Sequence, residues 1–192
     1  MSSPSPRWPS PPRPADSATG RPIAAALAGD DLDRWWQALV PVLMAPLRLL
    51  DRTGIALEAH GQNSLVICKG DRPDSLMYRD FGGIRLPRTG WPQLAGDLQT
   101  DDGPERTRKL IAALFPTTLT ALVDALATWT GTDPGQWWAP VADAARQACA
   151  PGDLADAVLK ADWPLKATTA MRLADNPTKD IWVTAPNPLA PL

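Results

Sequence analysis

Glu58-Ala59-His60-Gly61-Gln62-Asn63 and, further along, Arg79-Asp80-Phe81-Gly82-Gly83 concentrate the residue types of this 192-residue chain that can do chemistry, its only histidine among them. Glu58, Asn63 and Asp80 offer oxygen donors and no sulfur, the donor set of a hard cation such as magnesium. Magnesium takes one or two carboxylates and completes its shell with water or phosphate oxygens. His60 and Arg79 can neutralise phosphate oxygens, arginine as a two-pronged donor, and Gln62 can hold a phosphate or ribose oxygen. Zinc does not suit a chain with one histidine and two distant cysteines, Cys68 and Cys149. A plainer reading stands beside this one. A lone histidine near a strand end is commonly a satisfied, partly exposed residue. Asp80 can cap a glycine turn, and Arg79 and Asp80 can sit in surface ion pairs worth under about 1 kcal/mol.

Between the clusters lie an apolar run, Ser64-Leu65-Val66-Ile67-Cys68, and a turn-rich piece, Lys69-Gly70-Asp71-Arg72-Pro73-Asp74. That order predicts strands near 55–60, 63–69 and 75–80, with Ile84-Arg85-Leu86 continuing the last. In an extended 55–60 segment, alternate side chains share a face, so Glu58, His60 and Gln62 are expected to point the same way. Upstream, Leu32, Trp36, Leu39, Leu43, Leu47 and Leu50 follow the spacing of one buried helical face within 23–53. Asp30 or Asp31 is the expected N-cap and Gly54 the terminator. Pro41 and Pro46 predict a kink or two helical pieces, because an interior proline removes a hydrogen bond. Pro87, Gly90, Pro92, Gly96 and Gly103 predict a surface loop over 87–104. Helical patterns follow at 105–114, 118–130, 134–149 and 153–160, then a short helix at 166–173 and an extended end at Ile181-Trp182-Val183. The fold class is α+β: mainly helical, with a small antiparallel hairpin sheet carrying the site.

Composition narrows the rest. A net charge of −2 gives no electrostatic reason to bind nucleic acid or an acidic membrane surface. No uninterrupted apolar run reaches the roughly 20 residues of a membrane span, and a proline- and serine-rich start is no signal peptide. Two cysteines are too few for a disulfide framework or an iron–sulfur cluster, so a cytoplasmic protein with reduced thiols is expected. Residues 1–21 read as a disordered tail and 22–192 as one domain. The chain has nine tryptophans against one tyrosine and two phenylalanines. Trp35-Trp36 and Trp137-Trp138 fall in helical patterns where packing is expected, with stacking on a nucleobase the rarer use.

Gly54-Ile55-Ala56-Leu57-Glu58-Ala59-His60-Gly61-Gln62-Asn63 closely resembles a signature of the siderophore synthetases that work independently of nonribosomal peptide synthetases, the aerobactin synthetase-like family. Arg79-Asp80-Phe81-Gly82-Gly83 resembles that family's second motif at the expected distance. Pro164-Leu165-Lys166-Ala167, Met171-Arg172-Leu173, Trp182-Val183 and Asn187-Pro188-Leu189 resemble its closing segment. The likeness covers roughly residues 30–192, the family's C-terminal portion. It implies an ATP- and magnesium-dependent ligase that adenylates a citrate- or succinyl-type carboxylic acid and lets an amine, hydroxylamine or alcohol displace AMP. By that resemblance His60 and Gln62, with Asn63 and Asp80, would contact the nucleotide, and Glu58, Asn63 and Asp80 would hold magnesium. Arg79 would act beside His60, and Lys166 would meet the substrate carboxylate. The family's N-terminal nucleotide-gripping motifs do not occur in this sequence, so a separate N-terminal lobe is an expected partner, oligomerisation is open, and a non-catalytic remnant is an alternative. A ferric-siderophore reductase is a second alternative, but such proteins carry a cysteine-rich terminus and this chain ends Asn187-Pro188-Leu189-Ala190-Pro191-Leu192.

Overall fold

The computed structural model describes residues 23–91, 98–174, 176 and 180–190; the tail expected over 1–21 lies outside them. Helix α1 spans Ile23–Ala28, α2 Leu32–Leu43 and α3 Ala45–Thr53. The expected long helix is thus three pieces. Asp31 caps α2, its carboxylate accepting from the Arg34 N–H at 3.0 Å. Pro41 is tolerated inside α2, the chain breaks at Met44, and Pro46 falls in the first turn of α3, where a missing N–H costs nothing. Gly54 closes α3 at φ 72°, a left-handed conformation that favours glycine.

Strands β1 (Ser64–Lys69) and β2 (Arg72–Tyr78) form an antiparallel hairpin with Ser64 opposite Tyr78 and a register irregularity at Ile67/Cys68. Two expectations fail here. Residues 55–60 are not a strand but carry only a single antiparallel bridge, Ala56 to Arg85. Ile84-Arg85-Leu86 does not continue β2, because the 3₁₀ turn Phe81–Gly83 intervenes and turns the chain back onto Ala56. The physical reason is the glycine pair, which favours a tight turn over continued extension.

Helix α4 (Gly103–Ala112) runs without a break through a π-helical segment, Ala113–Leu119, into α5 (Thr120–Thr130). The helical spacing predicts an interruption near Pro116. The structure instead widens the helix there, and three threonine hydroxyls donate to carbonyls five residues back: Thr117 to Ala112 at 2.7 Å, Thr118 to Ala113 at 2.9 Å and Thr120 to Phe115 at 3.2 Å. Carbonyls that lose their usual partners are thereby satisfied. The continuous 28-residue stretch Gly103–Thr130 has the length and hydropathy of a membrane span, contrary to the expectation that none would. It serves as a core helix: Leu110, Phe115, Leu119 and Val123 have no exposed surface.

Helix α6 (Pro134–Ala148) packs on α2, and the Trp36 indole donates to the Trp137 carbonyl at 2.9 Å in an edge-to-face pair of rings. Helix α7 (Asp153–Leu159) leads into β3 (Trp163–Lys166), and α8 (Thr168–Leu173) precedes β4 (Trp182–Ala185). Strands β3 and β4 pair antiparallel as a second two-stranded sheet, with Lys166 opposite Trp182. Trp163 anchors β3: it is 1% exposed, stacks near Phe115 and Trp138, and donates to the Val158 carbonyl at 2.9 Å. One continuous core joins these parts. The α+β class expected from the sequence is the observed one.

Candidate functional site

Glu58, His60 and Gln62 do converge, but through turns and not through strand alternation. The His60 N–H donates to the Glu58 carbonyl at 2.9 Å, and the Asn63 N–H to the His60 carbonyl at 2.9 Å, so 58–63 folds on itself before entering β1. Asn63 is 6% exposed. Its side-chain amide lies 3.3 Å from the Glu58 carbonyl and 3.4 Å from His60 Nε2. The Thr118 hydroxyl sits between the Ala113 carbonyl and the Ala59 carbonyl, the latter at 3.2 Å, and ties this loop to the π-helical segment. The hairpin holds the other side: the Glu58 N–H donates to the Tyr78 hydroxyl at 3.1 Å. Burial pushes the Tyr78 phenol above its usual pKa, hydrogen bonds from the Asn63 side chain and Glu58 backbone oppose this, and the Glu58 and Asp80 carboxylates add to it.

The result is an open cavity of about 820 Å³ lined by Glu58, His60, Gln62, Lys109, Thr117 and Lys166, among others. It lies where the 58–63 loop faces α4, the π-helical segment and β3. Lys166 Nζ is 3.6 Å from Glu58 Oε1 and 3.3 Å from Asp180 Oδ1. The second oxygen of Asp180 is 3.6 Å from Lys109 Nζ. Gly83 sets the position of Glu58 from behind, since a Cβ there would fall onto the Glu58 carboxylate. The second motif therefore needs glycine at this place for close approach.

Other predicted site residues stand elsewhere. Arg79 does not line the cavity; its Nε donates to the Gln62 carbonyl at 2.8 Å and its backbone N–H to the Asn63 carbonyl at 2.9 Å, bracing the loop. Asp80 is exposed at φ 65° and accepts from the Gly82 N–H at 3.1 Å, the turn-capping role of the plainer reading. The Asn63 side chain faces inward and is spent on the loop. The oxygen set Glu58, Asn63, Asp80 is therefore not assembled as a cage. Among the described residues no group of three His, Cys, Asp or Glu side chains is arranged to hold a metal. Glu58 is the one carboxylate of that set on the cavity wall, which fits a cation whose remaining ligands arrive with a phosphate. Lys109 and Asp180 were not singled out by the sequence. Neither lies in a motif, and a lysine that follows Arg106 and Arg108 in α4 carries no distinguishing signal.

Known proteins bear on this geometry. The family described as ferric iron reductase FhuF-like transporter matches residues 33–181. Aerobactin synthase of Escherichia coli is 33% identical over 99 residues, covering 49% of this chain and 16% of the synthase. Among solved structures, the petrobactin biosynthesis protein AsbB of Bacillus anthracis superposes with a TM-score of 0.73 at 22% identity, over 92% of this chain and 34% of that one. ATP-bound aerobactin synthetase IucA of Klebsiella pneumoniae gives 0.68 at 22% identity, over 87% and 32%. The chain thus spans roughly a tenth to a sixth of the length of the curated relatives, which are siderophore biosynthesis proteins. The fold is one found in siderophore synthetases, shared with about a third of each of those chains. Matched over most of its length, this chain belongs to the FhuF-like family and has siderophore synthetases among its homologues.

Proposed function

We propose that the chain forms one wall of the nucleotide and acid site of an ATP-dependent siderophore ligase. The observation that carries this reading is the convergence of Glu58, His60, Gln62 and Lys166 on one open cavity. His60 and Gln62 stand where they can hold phosphate oxygens, and Lys166 where an ammonium can orient a carboxylate toward them. Glu58 is the residue to hold a magnesium ion, whose chemistry is to neutralise charge on the phosphoryl group during in-line displacement. The reaction class is activation of a carboxylic acid as its adenylate with loss of pyrophosphate, then displacement of AMP by an amine, hydroxylamine or alcohol. Arg79 and Asn63 serve by holding the loop that carries His60 and Gln62. A further lobe is the expected partner, because the cavity opens to solvent on the side these residues do not cover. We assign the activity to the cytoplasm, where ATP is available and both thiols stay reduced.

Calorimetric titration of magnesium-ATP into the full chain, alone and with a synthetase N-terminal lobe, tests this. His60→Ala is expected to weaken binding roughly tenfold or more, the worth of a hydrogen bond to a charged group. No nucleotide binding by the unaltered chain under either condition overturns the reading.

The family description favours a second reading, a ferric-siderophore reductase. Cys68 lies half-buried in β1 and Cys149 is buried after α6, and both are free thiols. Iron and sulfide in stoichiometric amounts in anaerobically purified protein would establish it over the ligase reading.

A further inference from the structure

The peptide unit that precedes His60 is held at both of its polar atoms. The His60 N–H donates to the Glu58 carbonyl at 2.9 Å. The carbonyl of the same peptide belongs to Ala59, and the Thr118 hydroxyl donates to it at 3.2 Å. A peptide unit is planar, so fixing its N–H and its C=O fixes the direction from which the His60 side chain leaves the chain. Ala59 has no exposed surface, and among the described residues no other donor reaches its carbonyl. A buried carbonyl left without a donor is costly, which gives this one contact leverage over the loop.

The donor lies 59 residues further along the chain, in a helix that is widened where it passes the loop. Threonine inside a regular α-helix commonly turns its hydroxyl onto the carbonyl four residues back. In the π-helical segment Ala113–Leu119 the Thr118 hydroxyl instead meets the Ala113 carbonyl, five residues back, at 2.9 Å. A hydroxyl has one proton, shared here between the Ala113 and Ala59 carbonyls. Thr117 and Thr120 make the same five-residue bond to Ala112 and Phe115. Of the three hydroxyls, Thr118 is the one that also reaches the loop.

We infer that Thr118 is a positioning residue for His60: through the Thr118–Ala59 hydrogen bond, the π-helical segment sets the aim of the imidazole into the cavity. The turn that closes at Asn63 gives the loop its shape, and Thr118 gives that shape its orientation. A π-helical turn is a departure from regular helix that recurs at functional sites, and here it has a local task. The consequence for ligand binding rests on the proposed ligase reading, in which His60 holds a phosphate oxygen.

Three variants of the full chain test this. Thr118→Val deletes the hydroxyl at nearly constant shape, Thr118→Ser keeps it, and Thr120→Val deletes a hydroxyl bonded to the helix alone. Each is titrated with magnesium-ATP in the presence of a synthetase N-terminal lobe, and amide exchange is read at His60 and Asn63. Thr118→Val is expected to weaken nucleotide binding about tenfold, the effect of one buried acceptor left unpaired. Thr118→Ser and Thr120→Val are expected to stay within about twofold of the unaltered chain. The His60 amide is expected to lose protection about tenfold in Thr118→Val alone, while the Asn63 amide, closed by its own turn, keeps its protection. A folded Thr118→Val with unchanged nucleotide affinity, or a Thr120→Val as damaging as Thr118→Val, overturns the inference. One comparison needs no variant to fold: in the unaltered chain the His60 amide is expected to exchange about tenfold more slowly than that of exposed Gly61. Equal rates there also overturn the inference. Loss of His60 protection in Thr118→Val, with no nucleotide bound by any form, overturns the ligase reading and upholds Thr118 as the anchor of the loop.

Discussion

The two sides of the cavity are built differently. On one side the 58–63 loop is self-contained: its turns close between residues two and three apart, and Asn63 reaches back to Glu58 and His60. On the other side the wall of Lys109, Lys166 and Asp180 is assembled from α4, β3 and the segment before β4. A local constellation is written in a short stretch of sequence and is found by reading it. A wall assembled from distant elements depends on the core that brings them together. Damage to the core should therefore dissolve the wall first and the loop last.

Trp163→Ala gives the largest effect. The residue is almost fully buried, begins β3 and touches Phe115 and Trp138. Loss of its ring is expected to cost about 3–5 kcal/mol, read from the shift of the urea unfolding midpoint. If the wall depends on this anchor, citrate binding should fall in the folded variant while the loop retains its hydrogen bonds, visible as protection of the Asn63 amide from exchange. Equal loss on both sides would erase the distinction drawn above.

Gly83→Ala comes next, with an expected cost of about 1–3 kcal/mol, because a Cβ there falls onto the Glu58 carboxylate and presses on the Glu58 Cβ at 3.1 Å, so the whole side chain has to shift. Glu58 must move, so magnesium-dependent nucleotide binding is expected to weaken more than binding measured without the metal. An unchanged ratio would mean that Glu58 does not face the cation. Asn63→Ala is expected to cost about 1 kcal/mol, since the two amide contacts it removes are long and the Glu58 carbonyl keeps the His60 N–H as a partner. Chemical denaturation measures that cost, and the loop side alone should respond.

The smallest effect is one of pH. Burial holds the Tyr78 phenol above its usual value near 10. The folded protein then keeps that proton to higher pH than the unfolded chain does. Its contribution is fully present below about pH 10 and is lost as pH rises through the folded-state value. Tyr78→Phe is expected to flatten the fall of stability in that alkaline range. The buried Cys149 thiol is raised as well and contributes a similar, lower-lying slope that the substitution leaves in place. Identical alkaline profiles for the two proteins would show that Tyr78 titrates as an exposed phenol.

Part of this molecule is legible in the amino-acid order alone. The apolar spacing from Leu32 to Leu50 marks the buried face of α2 and α3, since three-and-four periodicity on a helix has one geometric meaning. Asp31 and Gly54 mark the helix ends, because side-chain capping and the left-handed conformation are local demands. The hairpin and its turn are also local. The strand expected over 55–60 is not observed, because alternation of residue types does not reveal hydrogen bonds that fold a segment back on itself. The interruption expected at Pro116 is overridden by hydroxyls that satisfy the carbonyls it frees.

By itself, the sequence determined that Glu58, His60 and Gln62 cluster, since they are covalent near-neighbours whose turns need little help from elsewhere. Only the tertiary structure decided what faces them. Lys109 and Asp180 join the wall because a core helix and a paired strand meet beside Lys166. Asn63 and Arg79 gave up direct contact with the cavity because the loop needed its backbone groups satisfied. Long-range ion pairs depend on packing that no spacing rule encodes, whereas hydrogen bonds between near neighbours depend on little else than the chain between them.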